Sequence, residues 1–317
     1  MKLSRPLLAV VTLCAIALLM LRLNPIQNAD KLILATHVWP GYELISLAVQ
    51  RNQLNLDSIE FSRFESAGES MQALATGAAD LATLTLDETL ALRAAGVPIK
   101  VIHIIDVSHG ADAVLSREPV QPGLELRGKR IAVESKLVGG LMLDRLLLEA
   151  GLQRSDLEII ELDDVTVDTW DTDVDLLISY EPVISKLLQR GAHKIYDSSE
   201  IPFTIIDVLV ASEEAINKHP REVQAIVAGF IDGREIWLSN PMDSEYRLAA
   251  ALEMAPEEVH STFQGILLPD LEFSRHMLQY PATNLLSTCE DISQRQRLSD
   301  TSCMTLFDPG SLPKKRL

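Results

Sequence analysis

Residues 66–105, SAGESMQALATGAADLATLTLDETLALRAAGVPIKVIHII, spell one pattern twice. Ser66 and Glu69 form an S-x-x-E capping box, Met71, Leu74 and Ala75 recur at helical spacing, and Gly77 supplies the stop. Leu81 to Leu84 is a short apolar run suited to a buried strand. Thr85 and Glu88 then open a second box, Leu90 and Ala94 continue the face, and Gly96 with Pro98 closes it before the strand Ile99 to Ile105. Strands separated by whole helices point to parallel pairing, since a helical crossover returns the chain to the start of the next strand.

Working outward, Leu32 to Ala35 and Ile59 to Phe61 read as earlier strands of the same array. The alternation restarts after a polar stretch near Arg117 to Arg127. Arg130 to Val133, Leu157 to Leu162 and Leu176 to Ser179 read as strands. Leu141 to Ala150, closed by Gly151, and Pro182 to Arg190, closed by Gly191, read as helices. Beyond a last strand, Ile205 to Ala211, the chain is mostly helical, with Arg221 to Ser239 the longest candidate. The predicted fold is α/β, two doubly wound lobes with a hinge and a ligand cleft between them. Residues 30–108 plus 207–317 would make a discontinuous first lobe and 109–206 the second, with crossings near Ser108 to Asp112 and Ile201 to Asp207.

Size and charge agree with that division. At 317 residues the chain exceeds the length at which one core usually stops growing, and 47% hydrophobic residues suffice for two. A formal charge of −17 argues against a nucleic-acid partner. Lys2 and Arg5 precede an uncharged, mostly apolar run from Leu7 to Leu21, so residues 1–29 read as a secretory signal or a retained membrane anchor. Export would let Cys289 and Cys303 pair; two separate buried or free thiols are the alternative. No HExxH or CxxC cluster is present, so neither a metal nor a cofactor is expected.

In open parallel sheets ligands gather beyond the carboxyl ends of strands. His37-Val38-Trp39-Pro40-Gly41-Tyr42-Glu43 places two of few aromatics behind the first strand; Trp39 and Tyr42 could wall a site, or merely staple a helix entry, and Gly41 allows close backbone approach. Ser66, Gly68 and Thr85 stand at helix starts, where capping explains Ser66 and Thr85 and free amides could also receive a ligand group. Asp106 and Asp112 follow the fourth strand and would receive ligand donors or bind hinge amides, the latter being preferred for Asp112. Asp87 and Glu88 read as first-turn acids complementing a helix dipole. Glu134, Ser135, Gly139 and Gly140 make a weak cradle lacking GxGxxG. Tyr180 and Glu181 end a later strand, where they would cover a solute or cap a helix, and Asp207 stands at the second crossing. No G-x-S-x-G elbow or phosphate loop occurs, so no catalytic residue is assigned. His103, inside an apolar strand, reads as a packed structural histidine.

Together, Trp39-Pro40-Gly41-Tyr42-Glu43, Ala73-Leu74-Ala75-Thr76-Gly77-Ala78-Ala79-Asp80, Leu84-Thr85-Leu86-Asp87-Glu88, Gly110-Ala111-Asp112-Ala113 and Tyr180-Glu181-Pro182 resemble the nitrate, sulfonate and taurine type of ABC-transporter solute-binding proteins. That group includes relatives that bind or make thiamine pyrimidine precursors. The resemblance covers nearly everything after residue 29. It implies a periplasmic-binding-protein-like fold that closes on a small-molecule solute and presents it to an ABC permease in the inner membrane, as a monomer and without catalysis. The cysteine-rich metal segment of the precursor synthases is missing. Acids in the candidate loops would repel a sulfonate, which favours an amine, hydroxylated or heteroaromatic solute with Trp39 stacking on it. A membrane-tethered sensor or accessory protein is the alternative.

Overall fold

The computed structural model describes residues 31–134, 137–163, 165–283, 285–298 and 303–314. The predicted leader and Ser135 lie outside the described residues. No described helix is long and apolar enough to cross a membrane.

Two α/β lobes are present, each built on three parallel strands. In the first sheet β1 (Leu32–Thr36) lies between β2 (Ile59–Arg63) and β3 (Leu81–Thr85), all parallel. In the second, β6 (Arg130–Val133) lies between β7 (Glu158–Glu161) and β8 (Leu176–Tyr180), again parallel. The lobes exchange strands. β4 (Ile99–Ser108) leads into β5 (Asp112–Ser116), which pairs antiparallel with β8. After β9 (His193–Asp197), on the far side of β5, the chain returns as β10 (Ile206–Ser212), antiparallel to both β3 and β4. A short β11 (Ile266–Leu267) completes the first sheet.

β5, β9 and β11 are absent from the sequence reading, and Asp106 belongs inside β4 rather than after it. The segment containing Gly110 and Asp112 carries turn residues, yet all of β5 is buried, so it shows no alternation to mark it. β9 is a mostly polar edge strand, and such edges resemble loops in composition. β4 runs on to Ser108 because Ile206 and Asp207 arrive opposite Val107 and Asp106.

Period-two packing accounts for the second lobe's two-sided core. Val114, Ile131, Val133, Leu176 and Ile178 face helix α4 (Val138–Ala150) through Met142, Leu143 and Leu146. Leu115, Ala132 and Leu177 face the other way, onto Ile184 and Leu187 of α5 (Val183–Gln189) and onto Trp170. Full burial of each large side chain contributes about 1.5–3 kcal/mol.

In the first lobe α1 (Leu44–Gln50) packs on the long α7 (Pro220–Ser239), the tail helix that returns across the sheet. Gly233 makes that crossing possible: a Cβ there would stand 1.9 Å from the Leu44 carbonyl oxygen. Two helices of this lobe, α2 (Ala67–Thr76) and α3 (Leu86–Ala94), start where the boxes predict. Ser66 caps Glu69 N–H, although the Glu69 carboxylate reaches back to Glu65 N–H rather than to Ser66; the Thr85–Glu88 box is complete. Cys289, in α11 (Leu285–Arg295), and Cys303 form a disulfide inside the first lobe's core. His103 is buried beside Phe230, and burial, with Arg234 adding to it, lowers its pKa to about 3, as a packed neutral imidazole requires.

The two crossings meet at one hydroxyl. Ser198 Oγ accepts from Gly110 N–H at 2.7 Å and from Asp112 N–H at 3.4 Å, and lies 2.7 Å from Ser108 Oγ.

Candidate functional site

Behind β1 the chain doubles back, with Tyr42 N–H bonded to Trp39 O and Glu43 N–H to Pro40 O. This turn drives both aromatic rings inward against the ends of β4 and β10. Trp39 Nε1–H donates to Asp106 Oδ2 at 3.0 Å, and Tyr42 OH donates to Asp207 Oδ1 at 2.5 Å. Gly41 is obligatory here, since a Cβ would stand 1.8 Å from Asp106 Oδ2. Tyr42 also receives His37 edge-on, centroids 5.1 Å apart, and Trp39 meets Tyr180 of the second lobe at 6.3 Å.

Asp106 and Asp207 are cross-strand partners, both fully enclosed. Two carboxyl groups set opposite each other in an apolar interior disfavour ionising together. Burial pushes both acids above the usual carboxylate range, and at Asp207 the neighbouring Asp106 charge adds to it. Burial likewise keeps Tyr42 protonated well above its ordinary range, and therefore a donor. Burial, with Arg63 second, lowers His37 to about 4, so its imidazole is neutral near pH 7.

Between these rings and the second lobe lies a cavity of about 60 Å³. At 10–15 Å³ per water this holds roughly five waters, or a solute of few heavy atoms. The first lobe lines it with His37, Trp39, Tyr42, Ala67, Thr85, Glu88 and Asp207; the second contributes Asp112, Glu134, Val138, Gly139, Met142, Ser179 and Tyr180. Apolar walls with a few convergent polar groups are the usual make-up of a small-molecule site.

Of the residues singled out from sequence, Trp39, Tyr42, Thr85, Tyr180 and Asp207 line this cavity. Asp106 stands behind Trp39. Ser66 and Gly68 are not among the lining residues, although Ala67 between them is. Glu181 turns away into the start of α5, accepting from Ser185 N–H at 3.1 Å and Ser185 Oγ–H at 3.0 Å; burial still pushes it up to about 7. Ser135 lies outside the described residues.

Glu88 and Asp112, read from sequence as a dipole acid and a hinge acid, both line the cavity, as does Ser179. Glu88 serves twice, accepting Thr85 N–H in the box while burial, with Asp87 adjacent, raises its pKa. Burial and the charges of Asp106, Asp87 and Glu181 outweigh a bond from Ser108 and push Asp112 up to about 7. The signal available for Ser179 was its place beside Tyr180 at a strand end; for Asp112 it was the strand that went unread.

Two α/β lobes exchanging strands around a cavity at the ends of both sheets define the architecture of periplasmic binding proteins. The profile of the family described as NMT1/THI5 like matches residues 52–244, more than half of the chain, and the chain belongs to that family. The taurine-binding periplasmic protein of Escherichia coli (strain K12) is 23% identical over 189 residues, 58% of this chain and 59% of that protein. The match therefore spans less than two thirds of that relative's length. Among solved structures, the periplasmic aliphatic sulphonate binding protein SsuA from Escherichia coli has a TM-score of 0.70 at 17% identity, covering 91% of this chain and 95% of its own. SsuA from Xanthomonas axonopodis pv. citri, bound to MOPS, has a TM-score of 0.67 at 18% identity, covering 89% and 98%. The desulfurization enzyme DSZB shares the fold as well, with a TM-score of 0.64 at 18% identity, covering 89% and 97%.

Proposed function

We propose that this chain is an exported solute-binding protein of an ABC importer, which captures a small organic solute by closure of its two lobes and delivers it to a permease in the inner membrane. The carrying observation is a cavity whose aromatic walls come from both lobes, Trp39 and Tyr42 from one and Tyr180 from the other. A solute touching both lobes has contacts in the closed state that it lacks in the open one, and only such a difference shifts the balance between them. Lobe boundaries at 30–108 plus 207–317 and 109–206 place the pivots at the two crossings beside Ser198. Trp39, Tyr42, Thr85, Asp207 and Tyr180 contact the solute; Asp106 positions Trp39. The taurine-binding periplasmic relative supports a periplasmic location, and a monomeric carrier is part of the proposal.

Binding without turnover is part of the proposal, although the fold is shared with DSZB. The two described cysteines are bonded to each other in the first lobe's core. His37 Nδ1 lies 3.3 Å from Ser70 Oγ, but Ser70 is fully buried and is not among the lining residues. A second reading, a membrane-tethered sensor using the same clamp, rests on the uncharged run from Leu7 to Leu21. Native mass spectrometry of the protein isolated from the exported fraction tests the main reading. A copurifying small molecule and a mature chain lacking residues 1–29 are expected; an intact membrane-bound chain would favour the sensor.

A further inference from the structure

Resting on the solute-binding reading, we propose that the solute carries a cationic ammonium group, held between the Trp39, Tyr42 and Tyr180 rings and the carboxylates of Asp112, Asp207 and Glu88.

Among the described lining residues the groups that can carry charge near pH 7 are acids. Glu88, Asp112, Glu134 and Asp207 face the cavity, while no Lys or Arg is among the described lining residues and His37 is neutral near pH 7. Three buried oxygens of the described lining have no hydrogen-bond partner: Asp112 Oδ2 and Ser179 Oγ on the second lobe and Asp207 Oδ2 on the first. Asp112 and Ser179 are only 4% and 3% exposed. Asp112 is paired with Tyr180 and Ala113 with Ser179, so the Asp112 and Ser179 side chains leave opposite faces of the strand ends, and both line the cavity. Buried polar atoms are normally satisfied, so orphaned ones at the wall of a cavity indicate what the occupant provides.

Chemistry narrows the occupant further. A metal ion is not favoured, because no group of three or more His, Cys, Asp or Glu among the described residues is placed to hold one. Burial favours the protonated forms of Glu88, Asp112 and Asp207, and a cation beside them favours their ionised, accepting forms, which a neutral hydroxyl does not. An ammonium group brings donors and charge together, and the aromatic faces attract it as well. A sulfonate or nitrate would set its charge beside four acids with no Lys or Arg among the described lining residues. Beside Thr85, the Thr85–Glu88 box already uses the Thr85 and Glu88 amides. The start of α4 has no side-chain cap, and Val138 and Gly139 line the cavity. The anionic end of a zwitterion is therefore accommodated there while its ammonium faces Asp112.

Calorimetry and thermal shift on the exported protein, with probes matched except for the ammonium group, test this. Taurine is compared with ethanesulfonate, and ethanolamine with ethylene glycol. In at least one pair the ammonium member is expected to bind about tenfold tighter or more. Asp112→Asn should abolish that preference, with Glu88→Gln weakening it as a second variant should the first fail to fold. Equal or tighter binding of ethanesulfonate or nitrate, no preference in either pair, or a preference unchanged in both variants would overturn the inference. An anion found copurifying with the protein would also overturn it while leaving solute binding intact. A chain with no copurifying molecule that responds to no member of a broad metabolite panel would end the solute-binding reading, and this inference with it.

Discussion

At the first sheet's end of the cleft the polar side chains bond one another: Trp39 to Asp106, Tyr42 to Asp207, and Glu88 to Thr85. At the second sheet's end Asp112 Oδ2 and Ser179 Oγ have no partner. The lobes share a plan, three parallel strands with an antiparallel guest, yet the first wall is cross-bonded through Trp39 and Tyr42, with Asp106 Oδ1 and Asp207 Oδ2 its open oxygens, while the second leaves Asp112 Oδ2 and Ser179 Oγ open with no such cross-bonding. Pre-organised groups give a ligand a fixed surface, and unfinished ones give it a reason to bring the second wall close.

The comparison can be broken most directly at Gly41. Gly41→Ala drives a methyl into Asp106 and should cost about 4 kcal/mol, overpacking adding to the lost Trp39 bond, as read by urea unfolding. A near-neutral result would mean the first wall yields freely. Cys289→Ser removes the first lobe's staple; a loop of this size is worth about 3 kcal/mol in the chain-entropy model, visible as a lower unfolding midpoint that reductant lowers no further. Trp39→Phe retains a ring but strips the donor from Asp106 Oδ2, with an expected loss of about 2 kcal/mol.

A smaller effect comes from pH. Asp112 and Glu181 are pushed up to about 7, so between the unfolded value near 4 and that point the folded protein holds more protons than the unfolded chain. Stability of the ligand-free protein should therefore fall as pH rises, by about 1 kcal/mol per group between pH 6 and 8, and level off above. His37 and His103, lowered to about 4 and about 3, oppose this only below about 6.5. Asp112→Asn should remove only its own share of a slope to which Glu181, Asp106 and Glu88 also contribute, and stability rising with pH across that window would contradict the assignment. Smallest of all is Ser179→Ala. Deleting an unsatisfied hydroxyl should leave ligand-free stability within about 0.5 kcal/mol of the parent, in contrast to Trp39→Phe, and lower solute affinity instead.

The fold was legible wherever local rules and tertiary packing agree. Arg130 to Val133 matches β6 to the residue, and the Thr85–Glu88 box marks the start of α3, because strand burial and capping are written in nearby residues. β5 was not legible, since Asp112 and Gly110 speak of a turn while the burial of Ala113 to Ser116 depends on β8, far along the chain. The site divides similarly. Trp39 and Tyr42 stood out as scarce aromatics in a turn, whereas Glu88 was concealed by having a sufficient local explanation as a cap. Pairing of Cys289 with Cys303 left no trace in sequence spacing, because only the packing of α11 against the C-terminal segment brings the two Cα atoms to 6.0 Å.

Ser198 gives the clamp its axle. Its oxygen gathers Gly110 N–H and the Ser108 hydroxyl from the outgoing passage while its own backbone opens the return one, so the two passages are pinned at a single point. In the proposed clamp motion, jaws fastened like scissors would swing wide at the tips with little travel at the rivet: Trp39 and Tyr180 would part, and Ser108 would keep its neighbour.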